Sequence, residues 1–427
     1  MSLFYANGSS DRELLPNEIK AALFGVFDML GSRKRVLAVP PDYTRAHSYA
    51  GPITCLTHEY YGERLADIMP ALGTHDPMTI EQWQKMYPSI PFDLMRVHNW
   101  RKDVLTIGEV PSEYTKHVTE GIYEEPWPVQ VNSLLVEGGH DLILSIGQVV
   151  PHEVIGMANH TKNLFVGTGG PKGINTSHFI GAAFGMERMM GHADTPLRRI
   201  LNYAHEHFCA KMPVVFIQTV MDTDENGKNI CRGLYIGDDR ECFERAAELS
   251  AQVNITVLDE RADKIVVFLD ADEFQSTWLG NKAVYRTRMA MADGGELVIL
   301  APGVKTFGED AEIDTLIRKY GYRTTPQIMK FVSENKDLQN NLAAAAHLIH
   351  GSSEGRFKVT YCPGGLTRAE IEGVGYEFSS LKEMKKMYNA DSLRSGWNVA
   401  NTGERFYYVN NPALGLWRGH NTPGAED

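Results

Sequence analysis

Residues 142–178 read "LILSIGQVVPHEVIGMANHTKNLFVGTGGPKGINTSH". The stretch opens as an apolar run of strand length, then places histidines, two lysines and several glycines in one connection. An apolar strand that ends abruptly in glycine and polar side chains is characteristic of a parallel α/β sheet, where ligands gather beyond the carboxyl ends of the strands.

The same punctuation recurs along the chain. In residues 16–30, "PNEIKAALFGVFDML", Ile19, Leu23, Val26, Phe27 and Leu30 fall on one helical stripe, and Gly31 stops it. "RVLAV" then ends in Pro40, Pro41 and "DYTR", so a strand delivers Asp42 and Arg45. "LADIMPALGTH" ends at His75, and Thr79 with Gln82 offers a capping box for "IEQWQKMY". In the second half "IVVFL" precedes Asp270, "ELVIL" precedes "APGVKTFGED", and Ile313, Leu316, Ile317 and Tyr320 form a helical stripe closed by Gly321. This alternation predicts an α/β fold with mainly parallel sheets flanked by helices. Asp42, Arg45, His75 and His152 then all lie beyond strand ends.

At 427 residues the chain exceeds the roughly 250–300 residues at which a single core stops growing, so two α/β domains are expected. Residues 1–258 would carry the histidines and lysines, and 265–427 would close over a substrate in the cleft between them. The charged stretch "LDERADK", residues 258–264, marks the boundary.

A net charge of -12 and a pI near 5.7 leave no general positive field for phosphates, which argues against a nucleic-acid partner. Five dispersed cysteines without a C-x-x-C pair suggest neither a disulfide framework nor a thiolate zinc site, and fit a reducing cytoplasm. No signal-peptide pattern and no uninterrupted apolar run of spanning length is present, so no membrane association is expected.

Three local motifs carry little. "DTDENG", residues 222–227, imitates the start of a calcium loop, but position 12 is Gly233 where a bidentate glutamate is needed, and a hairpin turn at Asn226-Gly227 explains it better. "HEH", residues 205–207, lacks the i, i+4 spacing that aims two imidazoles at one metal, and reads as a solvated helix face. "GTGGPKG", residues 167–173, fits neither the P-loop nor G-x-G-x-x-G; it supports generic phosphate binding or a turn that needs positive φ.

Taken singly, His75, His152, Lys162 and His178 prove little. Together, "PDYTR" with Asp42 and Arg45, "GTHDPMT" with His75, "IGQVVPHEVIG" with His152, Lys162 ten residues on and His178 sixteen further resemble the lactate racemase family. The resemblance covers most of the chain and is strongest over residues 36–192. It implies a nickel-pincer nucleotide, nickel pyridinium-3,5-bisthiocarboxylic acid mononucleotide, joined to Lys162 through a thioamide, with His178 as the protein's nickel ligand. His75 and His152 would be the paired acid/base residues, Arg45 would pair with a substrate carboxylate, and Asp42 would orient its neighbours. The amides of Gly167, Gly169 and Gly170 are candidates for the cofactor's phosphate.

The implied chemistry suits a 2-hydroxy acid. A carboxylate stabilises an adjacent carbanion poorly, whereas loss of hydride while a base takes the hydroxyl proton yields a stable 2-oxo acid. One imidazole would serve each enantiomer. The cofactor's biosynthetic enzymes are the implied partners, and recombinant protein made without them is expected to lack the cofactor.

The sequence also departs from the family pattern. Where relatives have Ser-Gly-Gly before the cofactor lysine, Ala158, Asn159 and His160 stand here, and Val166-Gly167 replaces Pro-Gly after it. An alternative alignment makes Lys172 the tether and His192 the metal ligand. In "WLGNKAVYRTRMAMADGGELVIL" Lys282 is kept, no suitable Gln precedes it, and Arg286 and Arg288 add charge, as substrate contacts or as an exposed basic helix. These changes point away from lactate toward a larger or more acidic hydroxy acid, with Arg45, Lys282 and Arg286 as its expected contacts. Two rival readings are an NAD-type dehydrogenase, in which "NLFVGTGG" would be strand and glycine loop, and a nickel- or nucleotide-binding protein without turnover.

Overall fold

A computed structural model describes residues 2–224, 228–413 and 415–420. The chain divides into two compact units: residues up to Ser177 together with Met190–Asn254, and His178–Met189 together with the chain from Ile255 onward. The division is therefore not a single cut in the sequence. Each unit has its own six-stranded sheet with helices, and both sheets are mainly parallel. Among the described residues no helix is long and apolar enough to cross a membrane.

The first unit is built on β1 (Leu3–Gly8), β2 (Val36–Val39), β3 (Leu65–Ile68), β6 (Leu142–Gln148), β9 (Val214–Thr223) and β10 (Asn229–Gly237). A separate two-stranded ribbon joins β4 (Val104–Val110) to β5 (Trp127–Asn132), and a short hairpin joins β7 (Pro151–His152) to β8 (Gly156–Met157). In the sheet the order is β1-β10-β9-β6-β2-β3. β3, β2, β6 and β9 run parallel, and β10 and β1 complete the sheet antiparallel. β2 leads to β3 on one side, while β6 leads to β9 on the other. The crevice between β2 and β6 is thus the topological switch point, where open α/β sheets bind ligands.

The helix Pro16–Leu30 forms as the apolar spacing requires, burying Ile19, Ala22, Leu23, Val26 and Phe27. Gly31 ends it at φ 74°, a conformation open to glycine. Thr79 and Gln82 make the capping box that starts the helix Ile80–Met86, and so terminate the loop carrying His75. β9 and β10 pair as a hairpin, as the sequence suggests; the Asn226-Gly227 turn itself lies outside the described residues.

The second unit contains β12 (Ala262–Phe268), β13 (Met291–Ala301), β14 (Lys358–Pro363), β15 (Glu377–Phe378), β16 (Gly396–Val399) and β17 (Arg405–Val409), in the order β15-β14-β13-β12-β17-β16. Of its pairings only β16 with β17 is antiparallel. β11 (Ile255–Leu258) and β18 (Leu416–Gly419) form a short parallel pair. Ile317 and Leu316 of the helix Ala311–Tyr320 pack into a core with Ile265, Val267, Leu297 and Ile299.

One buried carboxylate ties several segments of the first unit together. Asp67 on β3 is 2% exposed and receives Arg35 at 2.7 Å, Arg96 at 2.7 Å and the buried His140 at 2.8 Å. Removing a buried charge leaves its partners uncompensated, a cost tempered here because both arginines are partly exposed. Asp67→Ala is expected to lower stability by roughly 2–3 kcal/mol in denaturant unfolding, with the loss concentrated in the transition that reports the first unit.

Candidate active site

Asp42 leaves β2 after Pro40 and Pro41 and caps the turn Tyr43–Ser48, accepting from the Thr44 amide at 3.0 Å and from the Thr44 hydroxyl. Its other oxygen, Oδ2, lies 2.6 Å from Nδ1 of His75. Burial alone raises the Asp42 pKa, but the hydrogen bonds from His75 and Thr44 and the charges of His75 and Arg45 outweigh it and hold the carboxyl below its ordinary range. Asp42 is therefore charged throughout the range in which imidazole titrates, and an ionised carboxylate can only accept. His75 accordingly carries a proton on Nδ1, and its neutral ring presents a lone pair at Nε2.

Lys162 begins a buried π-helical turn, Asn163–Gly167. The turn is fixed by the Asn163 side chain, whose Nδ2 donates to the Val39 carbonyl of β2 and to the Ser145 hydroxyl of β6, each at 3.0 Å. One amide thus spans the β2/β6 crevice and sets Lys162 at it. Burial pulls the Lys162 pKa down to about 8, assisted by the charges of Arg45 and Arg198 and opposed by Glu153 and Asp42. The structure consequently gathers Asp42, Arg45, His75 and Lys162, with Glu153, into one electrostatic neighbourhood. His152 ends β7, is buried, and accepts the Val154 amide at 3.1 Å on Nδ1.

The segment before the lysine is unusual. Asn159 and His160 both adopt left-handed backbone, φ 68° and 57°. Such conformations cost non-glycine residues roughly 1–2 kcal/mol each, and these are the two positions at which the resemblance noted above implies glycine. Here the side chains offset that cost. Asn159 donates to Gln218 at 3.0 Å; His160 lies 3.9 Å from the Phe216 ring and hydrogen-bonds the Asp239 carbonyl at 3.1 Å. The buried Arg198 guanidinium then clamps the loop, donating to the carbonyls of Met157 at 2.6 Å and Asn159 at 3.1 Å and to the Thr161 hydroxyl at 2.9 Å, while lying 4.0 Å from the Phe243 ring.

The glycine loop holds a correction. Gly167, Gly169 and Gly170 do not have positive φ; they are required by close packing. A Cβ at Gly169 would sit 1.9 Å from the Phe165 carbonyl, at Gly167 2.8 Å from Ala71, and at Gly170 2.6 Å from Gln130. The loop is stitched to its surroundings by the Gly73 amide on the Gly167 carbonyl, 2.8 Å, and by His98 Nε2 on the Gly169 carbonyl, 3.1 Å. "NLFV" is the π turn and not a strand, so the strand, glycine loop and helix that a dinucleotide site requires are not formed here.

His178 lies two turns into the helix Pro171–Phe184, where the chain passes from the first compact unit to the second. In the second unit the basic stretch is not an exposed helix. Arg286 and Arg288 are 1% and 2% exposed; Arg286 donates to the Gly415 carbonyl at 2.8 Å, and Arg288 pairs with Glu187 at 2.9 Å. Lys282 is half-buried, 5.5 Å from the Phe274 ring.

Residues 15–189 match the lactate racemase N-terminal domain. This match covers less than half of the chain and identifies that segment as similar to a lactate racemase N-terminal domain. Among solved structures it is similar to a Thermotoga maritima protein, 25% identical with a TM-score of 0.81 over 97% of this chain and 100% of that one. It is also similar in fold to the lactate racemase apoprotein from Thermoanaerobacterium thermosaccharolyticum, 16% identical with a TM-score of 0.69 over 92% and 88% of the two chains. No curated protein matches the chain. The match of residues 15–189 to that domain supports racemase-type, isomerase activity in general.

Three site residues were not legible in the sequence. Asn163 and Arg198 act through backbone carbonyls distant in sequence, and Glu153 acts across space on Lys162. Adjacency to His152 and Lys162 is the sole sequence signal that points to Glu153 and Asn163.

An amine with a pKa of about 8 is roughly half neutral at pH 8, against under about 1% for an ordinary lysine. Competitive acylation of the apoprotein, read by peptide mass spectrometry, should show Lys162 reactivity rising with a midpoint near pH 8 wherever reagent reaches it. A midpoint above 10 would contradict the depressed pKa.

Proposed function

We propose that this protein interconverts stereoisomers of a 2-hydroxy acid, acting as a racemase or epimerase by reversible hydride transfer to a lysine-tethered nickel-pincer nucleotide. The observation that carries the reading is the conjunction of an oriented imidazole, His75 on Asp42, with the readily neutralised amine of Lys162 at the β2/β6 crevice.

The residues present fit the cofactor. Forming a thioamide consumes a free amine, and the lowered pKa of Lys162 keeps that form accessible near neutrality. The left-handed pair Asn159-His160, at positions where the family pattern has two glycines, supports Lys162 over the exposed Lys172 as the tether. His178 is proposed as the protein's nickel ligand. Among the described residues no group of three or more His, Cys, Asp or Glu could hold a metal ion, so a metal would have to arrive with most of its donors. Gly167, Gly169 and Gly170 are proposed to lie against the phosphate, although packing alone accounts for their lack of a side chain. When bound, the cofactor supplies a ring that accepts and returns hydride.

The chain's own residues would do the rest. His75 takes the hydroxyl proton of one enantiomer at Nε2, and the Asp42 carboxylate stabilises the imidazolium that results. His152 serves the other enantiomer. Arg45 presents a planar guanidinium to the substrate carboxylate, and Lys282 and Arg286 are kept as further proposed contacts. The replaced residues near Lys282 favour a hydroxy acid larger or more acidic than lactate.

Protein produced together with the cofactor's biosynthetic enzymes should carry a mass adduct that is lost in Lys162→Ala and kept in Lys172→Ala. In deuterated water, that holoprotein should invert single enantiomers of its hydroxy acid with little deuterium at carbon; extensive incorporation would indicate carbanion chemistry and overturn the hydride reading. Asp42→Asn should keep the adduct yet slow inversion by roughly 10²–10⁴-fold, because the amide no longer enforces the Nδ1–H tautomer of His75.

A further inference from the structure

We propose that the two catalytic histidines rest in opposite tautomers, and that Glu153 is the positioning residue that reverses the second. The inference rests on the racemase reading for its catalytic meaning, but the tautomers follow from geometry alone.

A carboxylate faces His75: Oδ2 of Asp42, at 2.6 Å, can only accept, so Nδ1 bears the hydrogen and Nε2 the lone pair. A donor faces His152. The Val154 amide, 3.1 Å from Nδ1, can only donate, so Nδ1 bears the lone pair and the neutral ring carries its hydrogen on Nε2. The tight hairpin keeps this amide in place: Pro151 pairs with Met157 and His152 with Gly156, which leaves residues 153–155 as the turn.

This arrangement constrains what His152 can do. To take a hydroxyl proton at Nε2, the ring must first carry its hydrogen on Nδ1. To give a proton from Nε2 without becoming an imidazolate, it must likewise hold a hydrogen on Nδ1. Both roles therefore require an acceptor at Nδ1 in place of the Val154 amide. Glu153 has that acceptor within reach, with Oε2 3.7 Å from Nδ1 and a side chain 21% exposed: as the ring gives its Nε2 proton to solvent water and takes one from water at Nδ1, a small rotation lets Nδ1–H donate to that carboxylate. In the productive step the substrate O–H bond breaks, its proton bonds to Nε2 of His152, and Nδ1–H stays on the Glu153 carboxylate. Asp42 is thus a fixed orienter and Glu153 a movable one.

Two measurements test this. In apoprotein labelled with ¹⁵N-histidine, long-range ¹H–¹⁵N spectra of the neutral rings, assigned with His75→Gln and His152→Gln, should show a protonated Nδ1 for His75 and a protonated Nε2 for His152. The same tautomer at both rings would overturn the proposal. In holoprotein bearing Glu153→Gln, single-turnover oxidation of one enantiomer should slow by roughly 10²-fold or more, while oxidation of the other stays within a few-fold of the unsubstituted protein. Steady-state kcat/KM cannot report this, because the overall equilibrium fixes its ratio in the two directions. Equal slowing of both single-turnover reactions, or of neither, would overturn the role of Glu153. Opposite tautomers with no turnover of any hydroxy acid would count against the racemase reading and not against the tautomer assignment.

Discussion

The site depends on one side-chain amide. Asn163 donates to Val39 at the end of β2 and to Ser145 on β6, two strands that diverge in their connections at this point of the sheet. A buried amide that satisfies two acceptors is costly to displace, because each acceptor would lose its partner away from water. It locks the π turn Asn163–Gly167, and the turn decides where Lys162 begins. π-helical turns are rare and concentrate at functional sites, and here the geometry has a local cause: the glycines that follow admit backbone approaches that a Cβ would forbid.

From the other side the lysine is held by Arg198. Its guanidinium spends its hydrogen bonds on two backbone carbonyls and a hydroxyl of residues 157–161. Burial without a carboxylate among these contacts lowers its own pKa to about 9 and adds positive potential around Lys162. Arg45 adds more, while Asp42 and Glu153 oppose both. Lys162 is thereby kept short of full neutrality, poised near the pH at which proton loss is inexpensive. The left-handed pair Asn159-His160 belongs to the same design: side-chain bonds and ring packing replace the conformational freedom of glycine.

The two histidines illustrate how neighbours assign roles to identical side chains. His75 sits on an exposed loop, yet its ring is oriented by a buried carboxylate; His152 is itself buried, yet its ring is oriented by the backbone of its own hairpin. Equivalent residue types thus enter the site with unequal hydrogen-bonding faces.

Much of this was legible in the sequence. Apolar periodicity and abrupt strand ends determined the α/β class, the helix over residues 16–30, the capping box at Thr79, and the placement of Asp42, Arg45 and His75 beyond strand ends, because these depend on local spacing and on the alternation of strand and helix. Other features were decided by tertiary structure alone. "NLFV" has strand composition but became a π turn, since Asn163 found its acceptors on two distant strands. Arg286 and Arg288 look like a solvated basic face but are buried, since Gly415 and Glu187 meet them from segments far along the chain. Of the two readings of the glycine loop, the positive-φ turn does not hold at Gly167, Gly169 and Gly170, where close packing excludes a side chain. Local pattern determines which elements form, whereas long-range packing decides which groups are desolvated and which partners they meet, and the pKa of Lys162 and the tautomers of His75 and His152 follow from the latter.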